Sequence, residues 1–456
     1  MTAGVNGRVR VVPAQRTGPV PAASATGELP AAVHDIDLSA PLPTVDAVDP
    51  GGRRVVQAWL LVRLFTEPVG TVLVDVPDAG LAPRELAAAI DAELGAALRP
   101  RLAELSLDAV PTGGITPATE PAFLTRRREI LAAAPPITVV LCTRERPGAL
   151  ARCLDSLLGQ QYPRFRVLVV DNAPATDATA EVVRSAARRG RVEYLLEPKA
   201  GLSFARNTAV AAAPGEILAW IDDDEVADPH WLAEVARALA EHPEADVVSG
   251  VIVPAELETR AQLWFEQFGG HSKGRGFRPD AFGPDTAHRQ SPLYPLPPFG
   301  TGANMTFRPG VIERIGGFDT ALGAGTPAMG SEDTLAFTQV LLTGGTIVYQ
   351  PTAVTHHYHR RDVEGLYKQM VGYGAGLTAA YTSLLLQRPG LLWALLKLAP
   401  VALRDLTGGD SLRVSGLRDD FPRDLLKANR KGMLAGPRAY LKGRRAARAT
   451  VRSGPE

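Results

Sequence analysis

The chain has 456 residues, of which 45% are hydrophobic and 21% are charged, and its 49 basic and 49 acidic residues give a formal net charge of zero. This length allows two or three domains with a full-sized core, and the balanced charge provides no whole-molecule attraction to nucleic acid or to acidic partners. The two cysteines, Cys142 and Cys153, lie in apolar patterns typical of buried free thiols and fit a reducing cytosol.

The first part of the chain predicts an arm, a small domain and a linker. Residues 1–30 are rich in Ala, Pro, Gly and Thr without periodicity, which predicts a disordered arm. Two β-rich runs and a helical pattern from Pro83 to Leu105 predict a small α+β domain over residues 31–110, and residues 111–134 are interpreted as a linker. No secretory signal is evident at the N-terminus, so we expect a cytoplasmic protein.

From Ile137 short β-runs alternate with amphipathic helices, which predicts a parallel α/β sheet within a domain over residues 135–360. The apolar run EILAWI leads directly into the acidic residues Asp222, Asp223, Asp224 and Glu225. Ligands of such sheets bind beyond the carboxyl ends of the strands. Carboxylates packed together need a counter-cation, and oxygen ligands favour Mg²⁺ or Mn²⁺. The alternative interpretation is a solvated acidic turn before a helix.

Two earlier strand ends and one loop also carry polar side chains. Thr143, Arg144 and Arg146 close the first predicted strand, and Asp171 closes the second, where its carboxylate could accept a hydrogen bond from a nucleobase N–H. A loop around Gly201 precedes a helix with Arg206 near its start, a position suited to phosphate binding. Taken alone, each of the two strand ends is more typical of an ordinary βα loop, and the alternative for the loop around Gly201 is a helix cap with a surface arginine.

A later helix opens with two acids. Ser331 is placed as the N-cap of this helix, so its positive end would favour the ionised forms of Glu332 and Asp333. An ionised carboxylate can act as a general base toward an acceptor hydroxyl. Acids in a first helical turn are also common for stability alone.

Three histidines follow a β-run farther along the chain. Strand alternation places His357 and His359 on one face and His356 on the other. One imidazole could complete a metal shell, whereas a structural zinc site gains little support without cysteine ligands.

Taken in order, the motifs resemble those of a glycosyltransferase family 2 enzyme with a GT-A fold, over roughly Pro135 to Gly376. The segments that carry the resemblance are VVLCTRERPGALARCLDSLLGQQYP, VVDNAP, GLSFARN, IDDDE, GTGANMTFR, GSEDT and HHYHRRD. The resemblance implies a metal-dependent inverting glycosyltransferase. Such an enzyme moves a sugar from a nucleotide-diphosphate donor of the UDP, TDP or GDP type to an acceptor hydroxyl by single displacement.

The resemblance also implies roles for individual residues. Asp333 takes the position of the catalytic base, with Glu332 as the next candidate. The metal, Mg²⁺ or Mn²⁺, is assigned to Asp222, Asp224 and His357, with His356 and His359 competing for the role of the histidine. The residues expected to bind or shape the donor site are Thr143, Arg144, Arg146, Asp171, Gly201, Arg206, Asp222, Asp223, Gly302 and Asn304.

Other classes of protein fit the pattern less well. A sugar-1-phosphate nucleotidyltransferase would open with a Gly-rich loop near the first strand, and a haloacid-dehalogenase-like phosphatase would place its nucleophilic aspartate there. No P-loop or dinucleotide-binding motif is present. A non-catalytic nucleotide-sugar-binding module on the same fold is disfavoured because Asp222, Asp224 and Asp333 are all in place.

Residues 361–456 are predicted to form a helical, basic extension, with ten Lys or Arg against two acids beyond Phe421. The apolar run from Gly390 to Leu403 is shorter than the roughly 20 residues that cross a bilayer, so no transmembrane helix is predicted. The run and the basic tail could instead lie on the anionic inner face of the plasma membrane. The alternatives are a helix packed on the catalytic domain and a solvated tail. The expected acceptor is a hydroxyl, with a lipid-linked or cell-envelope glycan as one option, and no nucleic acid partner is expected.

Overall fold

A computed structural model of the chain describes residues 31–272, 275–284, 291–293, 299–407, 417 and 420–452. The predicted arm over residues 1–30 therefore lies outside the described residues. Two β-sheets are present in the described part of the chain, one with three strands and one with nine.

The small sheet is built from the first three strands and is covered by the first helix. These elements are β1 Ala31–Asp37, β2 Gln57–Leu64, β3 Glu67–Asp75 and α1 Pro83–Glu104. β1 is parallel to β2, and β2 is antiparallel to β3. Alternate residues of β3, including Val72 and Val74, are buried in one cluster with Leu86 and Ile90 of α1. Residues two apart on β3 thus pack against residues four apart on α1 in this core.

The large sheet contains the remaining strands. They are β4 Ile137–Thr143, β5 Phe165–Asn172, β6 Val192–Glu197, β7 Ile217–Asp222, β8 Glu225–Ala227, β9 Val247–Pro254, β10 Asp280–Phe282, β11 Asn304–Phe307 and β12 Ile347–His357. Their order is β10-β12-β9-β11-β7-β4-β5-β6, with β8 pairing to β12. The strands β4, β5, β6 and β7 are mutually parallel where they pair, and β11 is antiparallel to both of its neighbours.

Helices cover both faces of this sheet and continue beyond it. They are α2 Ala122–Ala132, α3 Pro147–Leu158, α4 Ala178–Ala186, α5 Leu202–Ala212, α6 Trp231–Glu241, α7 Arg260–Gln267, α8 Val311–Arg314, α9 Glu332–Leu342, α10 Val363–Gln387, α11 Leu392–Thr407 and α12 Arg423–Arg452. Along β4, Val139 and Val140 enter different core clusters, one shared with Leu154 of α3 and the other with Ala209 of α5. Because successive strand residues point to opposite faces, the sheet has a core on each side.

The register of the parallel strands brings their polar ends together. Thr143, the last residue of β4, pairs with Asp171 of β5, and Cys142 pairs with Asp222 at the end of β7. Parallel strands end at the same edge of a sheet, so these side chains line one edge.

Buried ion pairs join the small sheet and α2 to the large sheet. Arg63 of β2 lies 2.6 Å from Asp228, and Arg127 of α2 lies 2.9 Å from Glu234 of α6. All four side chains are buried. The segment interpreted as a linker thus contains a helix, α2, that packs against α6 of the large sheet.

The C-terminal helices α10 and α12 pack closely against each other. A Cβ atom on Gly374 would lie 1.9 Å from the carbonyl oxygen of Asn429, so only glycine permits this approach. Among the described helices, none combines the length and the apolar character needed to cross a bilayer.

Candidate active site

Three consecutive aspartates follow β7 at the polar edge of the large sheet. The hydroxyl of Thr143 donates a 2.6 Å hydrogen bond to Asp223. The guanidinium of Arg146 donates to Asp223 and, over 2.8 Å, to Asp224. The loop after β4 is therefore fastened to the acidic turn after β7.

The acidic turn carries more negative charge than its neighbours neutralise. Burial raises the pKa of Asp222 to about 6 against the opposing effect of Arg206, and burial raises the pKa of Asp223 to about 6 against that of Arg146. Asp224 behaves differently: burial opposes its ionisation, but His357 and Arg146 hold its pKa well below the usual range. The three carboxylates also repel one another, which is the environment of a cation-binding site.

A chain of hydrogen bonds runs from the acidic turn through two histidines. His357 Nε2 lies 3.4 Å from Oδ1 of Asp224, and its Nδ1 lies 2.8 Å from Nδ1 of His359. His359 Nε2 in turn lies 2.8 Å from Oε1 of Glu266 on α7. His356 is on the other face of β12, where burial lowers its pKa, the charge of Asp228 raises it and that of Arg63 lowers it. The alternation of the strand thus separates His356 from the acidic turn, as predicted.

The hydrogen-bond chain fixes which ring atoms can carry protons. The Glu266 carboxylate accepts the proton of His359 Nε2, which leaves His359 Nδ1 to accept from His357 Nδ1–H. The remaining nitrogen, His357 Nε2, then faces the Asp224 carboxylate. Either a proton or a metal cation between these two atoms would satisfy both. Nitrogens of His271, His357 and His359 also all lie within 4.8 Å of one another, but the bond between the last two uses one nitrogen from each.

Arg206 joins the acidic turn to the start of α9. Its side chain is 1% exposed, and it donates 3.0 Å hydrogen bonds to Oε1 of Glu332 and to the carbonyl oxygen of Gly302. The same guanidinium lies 3.7 Å from Oδ1 of Asp222. Burial raises the pKa of Glu332 to about 7, with Arg206 opposing the shift and Asp333 adding to it. One guanidinium therefore holds both candidate catalytic segments.

Asp333 is held by backbone groups on both of its oxygens. Oδ2 accepts a 2.6 Å hydrogen bond from the N–H of Gly302, and Oδ1 accepts a 2.6 Å bond from the N–H of Thr334. A Cβ atom on Gly302 would lie 3.1 Å from the Cβ of Asp333 and 2.8 Å from the guanidinium of Arg206. The absence of a side chain at Gly302 therefore lets its backbone approach both residues closely. Ser331 stands at the N-cap as predicted, but its backbone is left-handed, with φ of 66°, and its side chain makes no capping hydrogen bond. The orientation of Asp333 thus depends on Gly302 and Thr334.

Another part of the candidate site lies at the end of β5. Asp171 is fully buried and accepts a 2.9 Å hydrogen bond from the Tyr194 hydroxyl at Oδ2, while Oδ1 has no hydrogen-bond partner among the described residues. The amide of the neighbouring Asn172 accepts from Gly201 N–H over 2.8 Å and donates to the Lys199 carbonyl over 2.7 Å. The loop at Gly201 is thereby fixed to the end of β5.

The chain matches a known family over the sheet that carries these residues. Residues 138–316 match the model of glycosyl transferase family 2. Similar proteins include a glucosyl-dolichyl phosphate glucuronosyltransferase of Haloferax volcanii, 24% identical over 48% of this chain and 68% of the relative. The succinoglycan biosynthesis protein ExoM of Rhizobium meliloti is 30% identical over 48% of this chain and 66% of the relative. This chain belongs to glycosyltransferase family 2.

Another relative and one solved structure are also similar to this chain. A pre-mycofactocin glycosyltransferase of Mycobacterium tuberculosis is 25% identical over 52% of this chain and 46% of the relative. A mannosyltransferase of Pyrobaculum calidifontis, solved with GDP-mannose and Mn²⁺, is 21% identical over 73% of this chain and 83% of the other, with a TM-score of 0.40. The chain thus spans only about half to two thirds of several curated relatives. The family and the GT-A fold that the sequence predicted are confirmed, and the protein is a glycosyltransferase.

The candidate site brings together most of the predicted residues. Arg144 is exposed, and no hydrogen bond or ion pair of its side chain is found within the described part of the chain. Asn304 is instead buried in the core, where its amide bonds to Trp231 and to the carbonyls of Val251 and Ala353. Its side chain therefore supports the sheet beneath the site.

Three further residues that contribute to the candidate site are not among the predicted site residues. Glu266 orients His359, and Tyr194 holds Asp171. Glu145, whose backbone is left-handed, accepts hydrogen bonds from the N–H groups of Ala175 and Thr176 and so joins the loops after β4 and β5. Only Glu145 had a sequence signal, because it lies inside the TRER segment that closes β4.

Proposed function

We propose that this protein transfers a sugar from a nucleotide-diphosphate donor to an acceptor hydroxyl by a single displacement that inverts the anomeric centre. Asp333 serves as the general base, and a divalent cation, Mg²⁺ or Mn²⁺, is held by Asp222, Asp224 and His357. The observation that carries the proposal is the position of Arg206 between Asp222 and Glu332. This one buried side chain fixes the distance between the cation-binding turn and the segment that carries the base.

The residues present fit a divalent cation. Asp224 Oδ1 and His357 Nε2 are 3.4 Å apart, a separation that two ligands of one ion at about 2.1 Å each can have. The raised pKa values of Asp222 and Asp223 reflect burial and mutual repulsion that a cation would relieve. When bound, the cation would neutralise charge that develops on the departing diphosphate.

Asp333 is better placed than Glu332 to take the acceptor proton. Glu332 is buried and bonded to Arg206, whereas Asp333 is partly exposed and oriented by Gly302 and Thr334. As Asp333 accepts the proton, the acceptor oxygen attacks the anomeric carbon and the bond to the diphosphate oxygen breaks. Among the described residues we assign Asp333 as the base and no carboxylate as a nucleophile. The proposed reaction is therefore a single displacement, which inverts the configuration.

Asp171 and Arg144 provide the donor side of the proposed site. The unpartnered Oδ1 of Asp171 suits the N3–H of uracil or thymine, or an N–H of guanine. Arg206 was predicted to lie near the diphosphate. Because its guanidinium is already bonded to Glu332 and Gly302, we assign it the positioning of these groups. Relatives named for a glucosyl-dolichyl phosphate and for succinoglycan favour a lipid-linked or polymeric glycan as acceptor.

A two-step assay tests the proposal. Thermal unfolding is measured with UDP-, TDP- and GDP-sugars, each with and without Mn²⁺, because a ligand that binds the folded state raises its stability. The stabilising donor is then tested for hydrolysis and for transfer to glycan acceptors, and the anomeric configuration of the product is read by NMR. Full activity in excess chelator, or retention of configuration, would contradict the proposal. Tight donor binding without any turnover would indicate a binding module instead.

A further inference from the structure

Helix α11 has an apolar face that points away from the protein. Its inner residues Ala394, Leu395 and Leu398 pack into a cluster with Leu335 of α9. At 100° per residue the opposite side of the helix carries a continuous apolar strip. The exposed residues of this strip, here named the α11 face, are Leu392, Trp393, Leu396, Ala399, Pro400 and Leu403.

The α11 face is exposed to an unusual degree. Trp393 is 73% exposed and Leu396 is 51% exposed. Large apolar side chains exposed side by side mark an interaction surface more often than a solvated one. Lys397 and Arg404, both exposed, lie together at one border of the strip, about 20 to 40° beyond Trp393 at 100° per residue. The helix therefore presents an apolar strip with a cationic border.

A second source of positive charge lies beside the same cluster. Helix α12 carries ten Lys or Arg against one Asp, and its Tyr440 is buried in the cluster that holds the inner side of α11. The basic residues nearest to this cluster are Arg444 and Arg448, which lie about 40° and 80° around α12 from Tyr440 at 100° per residue, and the charge of Arg444 acts on Tyr440. Part of the positive charge of α12 thus lies beside the cluster that supports α11.

We infer that the α11 face lies in the interfacial layer of an anionic phospholipid bilayer. The apolar strip enters the boundary between headgroups and acyl chains, the Trp393 ring lies at headgroup depth, and the basic residues contact anionic headgroups. Charge complementarity selects this occupant over a second copy of the chain, because two cationic borders would repel each other. The inference is independent of the donor, the metal and the base proposed above.

The surface has a consequence for the position of the active site. Leu335, which belongs to the same hydrophobic cluster as the inner side of α11, is in the first turn of the helix that begins at Glu332 and Asp333. A bilayer bound at the α11 face would therefore lie on the same side of α9 as the hydrophobic cluster that contains Leu335.

Flotation of the full chain with vesicles tests the inference. Vesicles of phosphatidylcholine with phosphatidylglycerol should carry the protein upward at low salt, and vesicles of phosphatidylcholine alone should carry much less. Leu396→Glu should lower the partition coefficient about tenfold, since it places a charge in the apolar strip. The matched control is Val48→Glu in the small domain, because Val48 is also 51% exposed. This control should float like the wild type.

Two further measurements keep the result interpretable. Donor hydrolysis and thermal unfolding of Leu396→Glu should match the wild type, which shows that the variant is folded. Brominated lipids should quench the fluorescence of the wild type more than that of Trp393→Phe. The inference is overturned if the wild type stays at the bottom of the gradient with anionic vesicles at low salt, or if both glutamate variants lose binding equally. It is also overturned if Leu396→Glu only converts a dimer to a monomer.

Discussion

Two groups of buried carboxylates in this molecule have opposite charge balances. Where the small sheet and α2 meet the catalytic sheet, Asp228 contacts Arg63, and Glu234 contacts both Arg127 and Arg237. At the polar edge of the sheet, by contrast, the segments 222–225 and 332–333 hold six acids, of which Asp223 and Asp224 contact Arg146, and Asp222 and Glu332 contact Arg206. The matched group supports the structure, whereas the unmatched group is left with a negative charge that a cation and an acceptor proton could neutralise.

The largest effect that would sharpen this comparison is expected from Asp333→Asn. The change keeps the size of the side chain, removes the base and leaves one of the two backbone N–H groups without its acceptor, so transfer should slow by about 10²–10⁴-fold. Donor affinity should stay within a few-fold of the wild type, because Asp333 contacts Gly302 and Thr334 and not the donor side of the site. Single-turnover transfer and donor titration measure the two quantities. Near-normal transfer would assign the base to Glu332.

The matched group is tested by Glu234→Gln. Glu234 is fully buried and accepts from Arg127, Arg237 and the hydroxyl of Thr352. Removing its charge leaves the buried guanidinium of Arg127 and the half-buried guanidinium of Arg237 against a neutral amide, so the free energy of unfolding should fall by about 3–5 kcal/mol. Urea denaturation measures the change, and the exposed Glu104→Gln should stay within about 0.5 kcal/mol of the wild type. Equal stabilities of the two variants would show that the matched group does not support the fold.

The hydrogen-bond chain behind the unmatched group is tested by His359→Ala. His359 orients His357 without facing the acidic turn, so its loss should weaken Mn²⁺ binding by about 10–100-fold. Mn²⁺ titration followed by electron paramagnetic resonance, without donor, reads the affinity directly. His356→Gln, on the other face of β12, should keep the affinity of the wild type. If both variants lose affinity together, the effect is a general loss of structure.

The sequence predicted the polar edge of the sheet more fully than the contacts behind it. Thr143, Asp171 and Asp222 could be located because each follows an apolar β-run, and parallel strands end at one edge. The contact of Arg206 with Glu332 joins residues 126 positions apart, and that of His359 with Glu266 joins residues 93 apart. No local period encodes such pairs. Asn304 shows the converse, since its position in a family motif suggested the site while its amide supports the core.

The smallest expected effect is a change with pH in the stability difference between Asp222→Asn and the wild type. It directly tests whether the carboxylates at the polar edge lack the neutralising partners of the matched group. Burial and neighbouring acids raise the pKa of Asp222 from 3.8 to about 6. At pH 7.5 the negative charge of Asp222 therefore costs more free energy in the folded, metal-free protein than in the unfolded chain. Asp222→Asn should therefore be more stable than the wild type at pH 7.5. As the pH falls through about 6, the folded wild type takes up the proton first, so the difference between the two proteins should shrink and approach zero near pH 4. Thermal unfolding across this range in chelator measures it, with the exposed Asp108→Asn as a control whose difference from the wild type stays flat. Adding Mn²⁺ at pH 7.5 should reverse the order, because the wild type alone retains the full set of ligands. A less stable Asp222→Asn at pH 7.5 would show that Arg206 already neutralises this carboxylate, and the edge of the sheet would then resemble the matched group.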